Sequence, residues 1–97
     1  MNYFAELENA IVKRYGCEAK HVDTVLVEET FQGRGSWKGN VAVFALRNHP
    51  AAQFCYAWGN RDAHGNWDII TVLGIHPVAS AETAVRAGMR ARATRSE

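Results

Sequence analysis

Apolar residues recur with two different periods along this chain, and the change of period divides it into elements. Between residues 3 and 15 they recur every three or four positions, which places them on one face of a helix. The residues of this face are Phe4, Leu7, Ala10, Ile11 and Tyr15. Gly16 follows the last turn, and glycine readily adopts the left-handed backbone that ends many helices. The pattern predicts an amphipathic helix over residues 3–15.

Four segments with a two-residue period follow this helix, as expected of β-strands. The predicted strands cover residues 22–31, 37–48, 53–60 and 67–75. Their connections are short, so we expect each strand to pair with its neighbour in the sequence in an antiparallel arrangement. Ser80 is a favourable N-cap for a second helix, which we expect to begin at Ala81 and to fray near Arg90.

The predicted order of elements is α-β-β-β-β-α, an α+β domain built on a four-stranded antiparallel meander. We expect a single domain over residues 1–92 and a flexible tail over residues 93–97. The chain has 97 residues, of which 47% are hydrophobic and 22% charged, as in ordinary globular domains. A chain of this length buries a modest share of its surface, which leaves room for a binding partner.

The central strands are apolar at both positions of the two-residue repeat, so both faces of the predicted sheet need a cover. The second helix offers mainly small residues, which suit the sheet face that carries Cys55, Ala57 and Gly59. We therefore expect both helices to share that face and the aromatic residues of the strands to project from the other. Trp and Tyr are favoured anchors of protein interfaces. The candidate interface residues are Trp37, Phe54, Tyr56, Trp58 and Trp67.

The opposite assignment of the two faces stays open. A β-bulge shifts the alternation by one residue and moves the side chains that follow it to the other face. A sheet that curls would also bury both faces. In either case the aromatic residues would form the core of the domain.

The sequence offers few candidates for chemistry. Asp62 and His64 share a predicted hairpin loop and Asp68 is near, and an Asp–His pair can act in acid–base catalysis. No nucleophile or cluster of oxyanion donors accompanies them, so turn formation is the favoured explanation. Arg86 and Arg90 are weak candidates for a phosphate contact, with a solvated helix face as the alternative. We predict no catalytic, metal-binding or cofactor-binding residue.

Charge and cysteine content limit the cellular locations and the kinds of partner that we expect for this protein. The formal net charge of +1 gives no strong field toward nucleic acid or anionic lipid. Cys17 and Cys55 fit no metal or redox spacing and are predicted to be reduced, buried thiols. The first residues do not resemble a signal peptide, and no apolar stretch approaches the roughly 20 residues of a membrane span. We therefore expect a cytoplasmic protein without a membrane partner.

The order of helix, antiparallel meander and helix is similar to that of the double-stranded RNA-binding domain. That family carries a lysine cluster at the start of its second helix, which contacts phosphates. The matching residues here, 80–84, contain no lysine and one acidic residue, Glu82, and the meander has four strands. The resemblance implies a topology, and nucleic acid is disfavoured as a partner.

Individual residues resemble a family of small uncharacterised bacterial proteins. The shared stretches include residues 29–33, Trp37-Lys38-Gly39, Tyr56-Ala57-Trp58 and residues 82–85. The resemblance covers most of residues 29–85. It implies a compact bacterial domain and assigns no functional residue.

The sequence favours a small non-enzymatic bacterial interaction module that forms a homodimer through an uncovered sheet face. One alternative is a nucleic-acid-binding domain with the topology of the double-stranded RNA-binding domain. The other is a small enzyme with a site near Asp62, His64 and Asp68.

Overall fold

The computed structural model describes residues 3–31, 35–61, 64–65, 67–75 and 78–95. The elements are α1 (Tyr3–Tyr15), β1 (Glu18–Phe31), β2 (Gly35–Arg47), β3 (Phe54–Arg61), β4 (Trp67–Leu73) and α2 (Ala81–Arg95). The strands form one antiparallel sheet in the order β1-β2-β3-β4. The predicted α+β class and the order α-β-β-β-β-α are confirmed.

Both helices have local signals at their ends. Gly16 ends α1 with a φ of 67°, and its N–H donates to the carbonyl of Val12 at 2.9 Å. The hydroxyl of Ser80 accepts the N–H of Thr83 at 3.3 Å, while the hydroxyl of Thr83 accepts the N–H of Ser80 at 3.0 Å. This reciprocal pair satisfies donors that the first turn of α2 would otherwise leave open. The helix then continues to Arg95, beyond the end expected near Arg90, because alanine and arginine are good helix formers.

The expectation that both helices share one sheet face is wrong. Each helix covers its own face, and the core is divided into two clusters of buried side chains. The cluster under α2 contains Val27, Val41, Tyr56, Trp58, Ile70, Ala81, Ala84 and Val85. The cluster under α1 contains Leu7, Ile11, Cys17, Ala42, Phe44, Cys55 and Ala57. The molecule therefore has three layers, with the sheet between the helices.

Side-chain size explains which helix takes which face. The small residues of α2 lie on the face of the large aromatic residues, and a Cβ atom at Gly88 would lie 2.8 Å from Cη2 of Trp58. The larger Leu7 and Ile11 of α1 lie on the face of Ala42, Cys55 and Ala57. Large side chains thus meet small ones in both halves of the core, which is how a close-packed interior fills its volume.

A β-bulge lets β1 contribute to both clusters. The register with β2 shifts between His21 and Asp23, and Val22 between them is 50% exposed. Before the bulge, Ala19 packs on the α1 side, whereas Val27 beyond it is buried on the α2 side. The extra residue moves the odd-numbered side chains from one face to the other. The alternation starts anew at Val22, which is where the sequence pattern placed the start of this strand.

The two central strands, β2 and β3, pair over only part of their length and then separate. The ladder between β2 and β3 spans only residues 42–45 and 54–57. At Gly59 the hydroxyl of Tyr3 takes the place of a strand carbonyl, because it accepts the N–H of Gly59 at 2.9 Å. On the opposite face the rings of Trp37 and Trp58 lie 5.9 Å apart between centroids. On the α1 side of the sheet, Tyr3 thus supplies the acceptor for Gly59 where β2 no longer pairs with β3. On the α2 side, the packed rings of Trp37 and Trp58 fill the space between the two strands.

We predict different costs for the loss of two tryptophans. Trp58→Ala should lower the free energy of unfolding by about 3–5 kcal/mol, because it opens a cavity under α2. Trp67→Ala should cost about 1 kcal/mol, because that side chain is 51% exposed and loses only part of its burial. Urea denaturation of the two variants checks the difference. Equal costs would contradict the position of Trp58 under α2.

Candidate functional site

The predicted aromatic interface does not form one surface. Tyr56 and Trp58 are buried under α2, and Trp37 is half-buried against the same cluster. Phe54 and Trp67 are exposed at 42% and 51%, but they lie on opposite faces of the sheet. The prediction that these residues project from an uncovered face is wrong, because α2 covers that face.

The described residues of the loop considered for catalysis do not form an arrangement of catalytic groups. Asp62 lies outside the described residues, and His64 and Asp68 are both exposed. One carboxylate oxygen of Asp68 accepts the N–H of Ile69 at 2.9 Å, which is a backbone role at the edge of the sheet. In the described part of the chain, no group of three or more His, Cys, Asp or Glu residues is placed to hold a metal ion.

The two arginines considered for phosphate lie on α2. Arg86 is exposed, and the side chain of Arg90 is outside the described part of the structure. The first turn of α2 carries Glu82, which is acidic where a phosphate site would need basic groups.

The two thiols belong to the core under α1. Cys17 and Cys55 are both buried and unbonded to each other. Burial raises the pKa of the Cys55 thiol to about 12, because the thiolate would lose its hydration. A thiol that stays protonated at neutral pH is a poor nucleophile and metal ligand. Cys55 is therefore a packing residue.

The outer edge of β4 is the site that the sequence pattern did not single out. β4 is the last strand of the sheet and pairs with β3 on one side only. Its other side opens into a groove of about 460 Å³. Arg14 and Tyr15 at the end of α1 form one wall, and Ala87 and Gly88 of α2 form the other. The floor consists of residues 68–73.

The hydrogen bonds of β4 show which peptide groups point into this groove. Gly74 donates its N–H to the carbonyl of Phe54 at 2.8 Å, toward β3. Peptide groups alternate in direction along an antiparallel strand, so those of the odd-numbered residues 69, 71 and 73 point outward. The sheet edge thus presents these three residues to the groove.

Two of the six outward groups have partners within the chain. The N–H of Ile69 donates to Asp68, and the carbonyl of Leu73 accepts the N–H of Ile75 at 2.9 Å. Within the described residues, no partner is found for the carbonyl of Ile69, both groups of Thr71 and the N–H of Leu73. Backbone groups of this kind pair strongly with an added strand.

The side chains of residues 69–73 give this edge little protection against pairing. Residues 69–73 carry no charge, and the hydroxyl of Thr71 lies 3.0 Å from that of Tyr15. The opposite edge of the sheet, β1, has a bulge and the exposed charged residues Glu18 and Asp23. Bulges and charges are the usual means of protecting a sheet edge, so β4 is the less protected of the two. The uncharged run in the last strand was the available sequence signal.

Because the pKa of Cys55 is raised, we predict that the stability of the protein falls at alkaline pH. The unfolded thiol has a pKa near 9.0 and the folded one near 12, so its contribution to stability is complete below pH 9 and is lost as pH rises toward 12. The difference of 3 in pKa corresponds to at most about 4 kcal/mol. The free energy of unfolding of the wild type should therefore fall more steeply between pH 9 and 11 than that of Cys55→Ala. Chemical denaturation across this range measures both slopes. Parallel curves for the wild type and Cys55→Ala would contradict the prediction.

Within the described residues, no helix combines the length and the apolar composition needed to cross a bilayer. Comparisons with models of protein families, with curated proteins and with solved structures give no match to this chain. The resemblances to the double-stranded RNA-binding domain and to small bacterial proteins therefore stay predictions. The geometry of the β4 edge is the main structural indication of function.

Proposed function

We propose that the protein is a small non-enzymatic bacterial module that acts in the cytoplasm by binding an extended protein segment at the outer edge of β4. The observation that supports this function is a set of four peptide groups at Ile69, Thr71 and Leu73 that have no partner among the described residues and lie in a groove between α1 and α2. An added strand would extend the sheet by one ladder. Reduced, buried Cys17 and Cys55 agree with a reducing compartment.

The physics of strand addition fits this groove. Main-chain hydrogen bonds supply affinity in this type of recognition, and alternate side-chain positions supply specificity. Each bond contributes on the order of 0.5–1.5 kcal/mol net. The hydroxyl pair of Tyr15 and Thr71 holds one wall of the groove against the strand. Ala87 and Gly88 keep the other wall low, so the approaching chain meets little steric resistance.

We also propose that the protein self-associates, but through the edge of the sheet and not through one of its faces. The face that carries Tyr56 and Trp58 is covered by α2, and the opposite face by α1. The edge is the part of the sheet that both helices leave open. The nucleic-acid and enzyme alternatives have no comparable support from the described residues.

We predict that a labelled peptide with the sequence of residues 67–75, carrying added lysines for solubility, binds the protein at this edge. Thr71→Pro should weaken binding roughly tenfold or more, because proline lacks the outward N–H and its ring meets the added strand. The ladder with β3 should survive, since proline is tolerated where the N–H of an edge strand faces solvent. Fluorescence anisotropy measures the binding, and circular dichroism checks the fold of the variant.

Lys38→Ala, at an exposed position on β2 away from the groove, is the control for this experiment and should bind the peptide like the wild type. Amide hydrogen exchange at Thr71 and Leu73 should slow when the peptide is bound to the wild type. Equal binding by Thr71→Pro, or unchanged exchange at both amides, would overturn the proposed function.

A further inference from the structure

We infer that the strand which pairs with β4 is the β4 of a second copy of this chain, antiparallel to the first and related to it by a two-fold axis at Thr71. This inference rests on the proposed function and identifies the partner and the register. In this arrangement Thr71 lies opposite Thr71 of the other copy, and Ile69 lies opposite Leu73. The two four-stranded sheets then join into one continuous sheet.

The unpaired peptide groups match one another in this register. The N–H and the carbonyl of Thr71 face the same two groups of the second copy, which gives two hydrogen bonds across the axis. The open N–H of Leu73 meets the open carbonyl of Ile69, once on each side of the axis. The N–H of Ile69 and the carbonyl of Leu73 would also face each other, and those are the two groups already satisfied within the chain. Every open donor therefore meets an open acceptor.

Neighbouring registers lack this match. With the axis at Ile70, the carbonyl of Thr71 would face the N–H of Ile69, which already donates to Asp68. With the axis at Val72, the N–H of Thr71 would face the carbonyl of Leu73, which already accepts from Ile75. A buried peptide group without a partner is costly, so the axis at Thr71 is favoured over both.

The exposed side chains of the edge are placed with the same symmetry. Trp67 and Ile75 are 51% and 42% exposed, and each lies four residues from Thr71. The two-fold axis brings Trp67 of one copy toward the end of β4 in the other, and Ile75 lies two residues beyond that end. Asp68 falls opposite Gly74, and therefore no two like charges face each other along the ladder.

The other edge of the sheet is a poor partner for β4. The bulge at Val22 interrupts the outer side of β1, and Glu18 and Asp23 would face the uncharged strand. Pairing of β1 with β4 would also be head-to-tail, which produces open chains of copies unless the ring closes. The two-fold arrangement closes with two copies.

Sedimentation of the whole chain at micromolar concentration tests the second copy as partner. We expect a dimer for the wild type and for Lys38→Ala, and a monomer for Thr71→Pro, with dimerisation weakened roughly tenfold or more. A monomeric wild type that still binds the peptide of residues 67–75 would overturn this inference and leave the proposed function standing. A monomeric wild type that does not bind the peptide, or a dimer that Thr71→Pro does not affect, would overturn both.

Disulfide formation tests the register and does not depend on the proline variant. Residues opposite each other in a hydrogen-bonded pair have Cα atoms about 5.5 Å apart, within the range of a disulfide. Mild oxidation should therefore link two copies of Thr71→Cys. Lys38→Cys, an exposed position on β2, should remain unlinked. Linking through Val72→Cys without linking through Thr71→Cys would place the axis elsewhere and overturn the register.

Discussion

The packing of Trp58 against Gly88 is the contact on which the architecture depends. The indole is fully buried, and α2 approaches the sheet closely because the helix offers no side chain at that point. The same contact settles which helix covers which face, since the larger side chains of α1 then fit the face of Ala42 and Ala57. With both faces covered, the interaction surface that remains in the sheet is its edge. The proposed function therefore follows from the way the core is filled.

Two local irregularities make this three-layer arrangement possible. The bulge at Val22 lets one strand supply side chains to both halves of the core, because it reverses the direction of the side chains beyond it. The hydroxyl of Tyr3 satisfies Gly59 where the ladder between β2 and β3 stops. The hydroxyl of Tyr3 thus gives the N–H of Gly59 an acceptor that β2 does not supply there. It also links α1 to the centre of the sheet through a hydrogen bond as well as through apolar contact.

The sequence could predict the order of the elements, because the periods of 3.6 and 2 are strong in this chain and the caps at Gly16 and Ser80 are clear. It could not predict which face each helix covers, because alternation marks two faces without saying which element lies on each. The small residues of α2 suggested the face of Cys55, whereas size complementarity places them on Trp58. The uncharged run of residues 69–73 pointed to the candidate edge, but the sequence could not show which peptide groups stay open there, because that depends on the hydrogen bonds made by Asp68 and Ile75.

The position of the helices on either side of the meander in the chain has a consequence for biosynthesis. All the strands emerge from the ribosome before α2 does, and the half of the core that holds Trp58 has no cover until that helix arrives. The half under α1 can close as soon as β4 is made, because its helix is already present. The nascent chain thus passes through a stage with one finished layer and one bare aromatic surface, where chaperone binding or aggregation competes with folding.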